Sequence, residues 1–157
     1  MYSGIKVEIL CCQHIVFVSI FDFNNAVSES EENGMTMKKS ECIQRLPEGG
    51  YVFRIYPSNN KSQPLGQSTK VYASEKECHD AFDRFIDLVA EHRPTDESFV
   101  KAKKHSTQGE NGILTQWTFH FYDEDGNEVF YRTMLYSTKV ACDTGIAAVI
   151  KQVANLK

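Results

Sequence analysis

From Trp117 onward the hydrophobic and polar positions recur with two different periods, and the change of period marks the elements. Trp117, Phe119 and Phe121 alternate with Thr118, His120 and Tyr122, the pattern of a strand buried on one face. Asp123 to Glu128 then predicts a tight acidic turn before a second strand. Gly126 can supply the left-handed residue of a type I turn with a bulge; a two-residue turn centred on Asp125-Gly126 fits the same stretch. The two turns differ by one residue in register and put Arg132 on opposite faces. The bulged form is preferred because it pairs Arg132 with Thr118 on the more polar face. Past Ser137-Thr138 the period lengthens, and Cys142, Ile146, Val149, Ile150 and Val153 form one helical stripe. Gly145 lies inside that helix at a cost of ~1 kcal/mol against Ala, which predicts a close approach to the sheet.

A degenerate copy of the pattern precedes it. A short strand over residues 41–46 leads to the turn Pro47-Glu-Gly-Gly50, and Tyr51, Phe53 and Ile55 then alternate with Val52, Arg54 and Tyr56. A loop over 57–64 and a return strand over 65–72 follow. Ser74-Glu-Lys-Glu77 has capping-box spacing, and Cys78, Phe82, Phe85, Ile86 and Val89 form the helical stripe. Pro94 ends that helix after Arg93. Residues 99–105 read as the first strand of the next unit, with 106–113 as an exposed turn. The chain therefore reads as an α+β tandem of β-β-β-α repeats, repeat one over 41–94 and repeat two over 98–157.

Residues 1–40 stand apart as an N-terminal extension. The apolar run over 8–23 carries Gln13 and His14 in its middle, is too short for a membrane span, and reads as one or two strands. Residues 24–33 read as an acidic linker. The change of character at Met37-Lys38-Lys39 suggests that Met35 or Met37 is the translation start and that residues 1–34 are a misassigned extension.

Composition narrows the classes of function. A net charge of −4 over 157 residues, with scattered Lys and Arg, argues against nucleic acid as a partner. The cluster Lys101, Lys103, Lys104 and His105 reads as a solvated strand face. Five cysteines at irregular spacing, without Cys-x-x-Cys, point to a reducing, cytoplasmic setting rather than a disulfide framework. The five histidines do not supply the paired ligands of a zinc site, so no metal and no cofactor is expected.

The segments Asp125-Gly-Asn-Glu128, Tyr136-Ser-Thr-Lys139 and Cys142-Asp-Thr-Gly-Ile-Ala-Ala-Val149 resemble the YegP-like family of small bacterial domains. The resemblance covers residues 41–157. The first copy departs from the pattern in its longer turn, in lacking the Lys after Ser74, and in having Ala81 where the second copy has Gly145. What the resemblance implies is one antiparallel sheet with two helices on one face, tandem members forming within one chain the pair that single-repeat members form as homodimers. The core would then be monomeric. No catalytic or cofactor residues are assigned to that motif.

Three functional classes follow. The first is a non-catalytic module that binds a protein partner on the helix-free face of the sheet, where Arg54, Tyr56, His120, Tyr122 and Arg132 are expected. The second is a small enzyme using His120 or His79 with Cys78 or Cys142, against which stands the placement of both cysteines on buried stripes. The third is a single-stranded nucleic-acid binder on an aromatic sheet, which the acidic hairpin tip opposes.

Overall fold

The structure, a computed structural model, describes residues 37–57 and 61–156. The chain divides into two units, Met1–Gly34 and Met35–Lys157, and all described residues belong to the second. The strands expected over 8–23, the acidic linker and Asn59-Asn60 lie outside the described residues.

The described chain opens with a helical turn, α1 (Lys39–Cys42), then β1 (Ile43–Arg45), β2 (Tyr51–Ile55), β3 (Gly66–Ser68) and α2 (Glu75–Glu91). It continues with β4 (Val100–Gly109), β5 (Gly112–Tyr122), β6 (Glu128–Tyr131) and α3 (Lys139–Ala154). The six strands form one antiparallel sheet in the order β1-β2-β3-β6-β5-β4. Each outer trio of strands is followed in sequence by one long helix, and β3 and β6 meet at the centre. The α+β reading holds. Tyr51 bridges Tyr72 in the first trio as Trp117 bridges Tyr136 in the second.

The core lies between the sheet and the long helices. Phe53, Ile55, Phe119, Phe121 and Phe130 meet Cys78, Phe82, Phe85 and Ile86 of α2 and Cys142, Ile146 and Val149 of α3. Phe85 is its hub, with ring centroids 5.5 Å from Phe53, 5.6 Å from Phe121 and 4.8 Å from Phe130. A helix that follows the first three strands thereby packs on the last ones. Full burial of such a side chain contributes ~1.5–3 kcal/mol.

Both helices start as the sequence suggests. Ser74 Oγ accepts from Glu77 N at 3.2 Å, and Thr138 Oγ1 accepts from Ala141 N at 3.1 Å, each satisfying an amide of the first turn. The Glu77 carboxylate accepts from Ala73 N, one residue before the cap, so the reciprocal half of the box is displaced. A Cβ on Gly145 would collide with the Tyr136 ring and hydroxyl and come within 3.1 Å of Phe119, which is the close helix-to-sheet approach expected.

Several boundaries differ from expectation. The strand expected over 41–46 is a helical turn to Cys42 and a three-residue strand, because Cys42 turns into the core. The return strand over 65–72 shrinks to Gly66–Ser68 plus the Tyr72 bridge. Helix α2 ends at Glu91 rather than Arg93, with His92 N donating to Leu88 O. Residues 106–113, expected as a turn, are mostly strand: β4 and β5 pair as far as Gly109↔Gly112. Polar residues extend the hairpin because both faces of that arm meet solvent, so no buried side imposes an apolar alternation.

The acidic hairpin shows the expected bulged turn. Gly126 has φ +78°, its N–H donates to Asp123 O, and Asp123 N donates to Asn127 O. A second irregularity follows at once, between Tyr122↔Glu128 and Phe121↔Phe130, where Val129 is the extra residue. It shifts the register back by one. Arg132 therefore lies beside Phe119, to whose carbonyl its N–H donates, and not across from Thr118. The shift places Phe130 in the core, fully buried, where the expected register would have turned it to the opposite face.

Candidate functional site

On the face opposite the long helices, five side chains stand in direct register across five strands. Arg54 pairs with Gln67, Gln67 with Tyr131, Tyr131 with His120, and His120 with Lys101. The strand period of two puts all five on one side, because each neighbours a core residue in sequence. The row is joined laterally. Arg54 Nε donates to Gln67 Oε1 at 3.1 Å, and Gln67 Nε2 donates to the Tyr131 hydroxyl at 3.0 Å. The Tyr131 ring stacks on His120, with centroids 6.3 Å apart. Beyond Arg54 the line continues through Gln44, whose Oε1 accepts from Arg54 Nη1 at 2.8 Å and whose Nε2 donates to the Tyr56 hydroxyl at 2.6 Å.

At the other end the bulged turn sets Glu128 opposite Tyr122 on the same face. Its Oε2 lies 2.8 Å from His120 Nδ1 and 3.7 Å from Lys103 Nζ, and its Oε1 accepts from Thr69 Oγ1. Nδ1 therefore faces a carboxylate, while Nε2 is buried without a hydrogen-bond partner. The side chain is only 14% exposed. Burial pushes its pKa below the ordinary imidazole value, and the Glu128 carboxylate pulls it the other way. Lys101 and Lys103 place their ammonium groups 5.0 and 5.6 Å from the centroid of Tyr122.

The five residues singled out from the sequence thus separate. Arg54, His120 and Tyr122 share the face opposite the long helices α2 and α3. Tyr56 lies at its β1 end but is 6% exposed, and Val52 on that side is 1% exposed, so this end is closed while Lys101 and Lys103 are open. Arg132 is elsewhere: its guanidinium lies 4.9 Å from the centroid of Tyr136, and Nη1 donates to Pro64 O. Gln44, Gln67, Tyr131 and Glu128 belong to the site and were not singled out. Tyr131 was missed because its face depended on the hairpin register; Gln67 because its strand is three residues long.

The alternative chemistry meets a different environment. Cys42, Cys78 and Cys142 are buried free thiols. Burial pushes Cys78 and Cys142 up to about 11 and Cys42 up to about 12, which keeps all three protonated at neutral pH. Among the described residues, no group of three His, Cys, Asp or Glu converges as metal ligands. No helix among them is long and apolar enough to cross a membrane.

The chain matches no family model, no curated protein and no solved structure.

Proposed function

We propose that this chain is a non-catalytic binding module that takes a protein partner on the face opposite the long helices, centred on His120. The observation that carries the reading is the joined row across the sheet, from the Arg54 guanidinium through Gln67 and Tyr131 to the His120 ring, with the exposed Lys101 and Lys103 beside Tyr122 at its end. The neighbouring groups suit recognition: a guanidinium held by two glutamines, two tyrosine rings, two lysines and one carboxylate. The tandem β-β-β-α reading and the YegP-like resemblance belong to the same proposal. The matching bridges Tyr51–Tyr72 and Trp117–Tyr136 and the paired caps Ser74 and Thr138 support them. So does a core that closes within one chain, as expected of a monomeric pseudo-dimer. Buried free thiols accord with a reducing, cytoplasmic setting.

The test is affinity capture on immobilised wild-type protein and on a Lys101→Ala, His120→Gln, Tyr131→Phe triple variant. The triple variant is expected to lose the captured partner while its melting temperature stays within about 4 °C of wild type, the shift that ~1 kcal/mol produces. Capture that survives the triple change would remove this face as the binding site.

A further inference from the structure

Strand β4 forms one edge of the sheet among the described residues, and its outer side is organised for more than solvent. Phe99 O accepts from Tyr122 N, which fixes the alternation of the antiparallel ladder. Odd-numbered residues of β4 direct their backbone groups to β5, and Val100, Ala102 and Lys104 direct theirs outward. The Val100 N–H is used locally, donating to Asp96 O at 2.9 Å. The next outward groups are the Val100 carbonyl, both groups of Ala102 and the Lys104 N–H, in the spacing that an added strand requires.

A groove of about 720 Å³ runs beside this edge, between β4 and α3. Val100, Ala102, Ile146 and Ala147 give it an apolar lining, Lys101 and Lys103 outnumber Glu97 at its β4 wall, and Lys139 and Asp143, paired with each other, line it from the first turns of α3. A strand laid along β4 would send every second side chain into this groove and the others beside Lys101, Lys103 and His105.

We propose that β4 and the groove under α3 bind an extended acidic peptide segment by β-strand addition, with alternating aliphatic and carboxylate side chains. Charge selects the occupant. Lys101, Lys103, Lys104 and His105 on one strand would face their own copies if two chains paired edge to edge, which disfavours a second copy and favours Glu or Asp. This site shares Lys101 and Lys103 with the His120 face but rests on the outward backbone groups of β4 and on the helix side of the sheet, which the Ala102 and Ala147 variants test by themselves.

The probe is a fluorescein-labelled peptide Ac-Glu-Val-Glu-Val-Glu-Val-Glu-amide, with a second version N-methylated at alternate residues so that one edge cannot pair. Titration into ¹⁵N-labelled protein is expected to shift the amides of Ala102 and Lys104 more than those of Lys101 and Lys103. N-methylation on the pairing edge should weaken binding by about tenfold or more, as loss of main-chain pairing requires. Ala102→Pro removes an outward N–H that the β4–β5 ladder does not use, so it should abolish binding in a folded protein. Should that variant unfold, Ala147→Phe fills the groove from α3 and is expected to do the same. No binding, equal binding of the methylated and parent peptides, or shifts confined to lysine side chains would overturn the proposal.

Discussion

His120 is the residue whose surroundings ask most of the fold. Its ring is enclosed and stacked on Tyr131, with Nδ1 facing a carboxylate and Nε2 buried without a hydrogen-bond partner. Burial favours the neutral ring in the folded chain, so as pH falls the unfolded chain takes up the proton first. The stability from this site is complete above the ordinary imidazole pKa and is lost as pH drops through the lower, folded value. An NMR titration should show His120 titrating below the ordinary imidazole value. Glu128→Gln removes the charge that opposes burial and should lower it further. A His120 that titrates above the ordinary value, or one indifferent to Glu128, would contradict this description.

The elements show where sequence reasoning succeeds. Helix faces are legible because a 3.6-residue period over four turns leaves little choice. Cys78, Phe82, Phe85, Ile86 and Val89 are all buried as their spacing indicates, and Gly145 announces the contact that forces it. Strand registers are less legible, since one extra residue exchanges the two faces. The bulged turn at Gly126 is readable from its glycine. The compensating bulge at Val129 is not, because it arises from the burial of Phe130 against residues distant in sequence. That single shift moved Arg132 off the site and brought Tyr131 onto it.

The distal β4–β5 arm was unreadable for another reason: its residues meet no core. Its tip carries exposed Ile113 and Leu114 and pairs only with itself. Replacing residues 106–115 by Asn-Gly, which leaves the hydrogen-bonded pair His105↔Gln116 to flank the turn, should therefore change the unfolding free energy by no more than about 1 kcal/mol, as a surface change does. A much larger loss in urea denaturation would show that the arm supports the sheet.

At the scale of the whole unit, the two trios of strands share one core through Phe85. Phe85→Ala removes contacts to Phe53, Phe121 and Phe130 together and should cost about 3–5 kcal/mol. Trp117, the single tryptophan, lies on β5, far in sequence from α2. Its fluorescence and the helical circular dichroism should move to lower urea together, as one cooperative transition requires. Separate transitions would mean that the trios fold independently.

The sheet thus keeps one face for a shared aromatic core and carries on the other a connected polar row that runs from Arg54 through His120 to the exposed Lys101. The most direct test is a ¹H–¹⁵N and imidazole-edited NMR survey with small aromatic carboxylates and phenols as probes. Binding is expected to perturb His120, Tyr131 and Lys101 most, and carboxylates should raise the His120 pKa toward its ordinary value as a further negative charge comes beside the ring. Perturbations gathered on α2 and α3, with the His120 ring unchanged by every probe, would contradict the assignment of this face as the binding site.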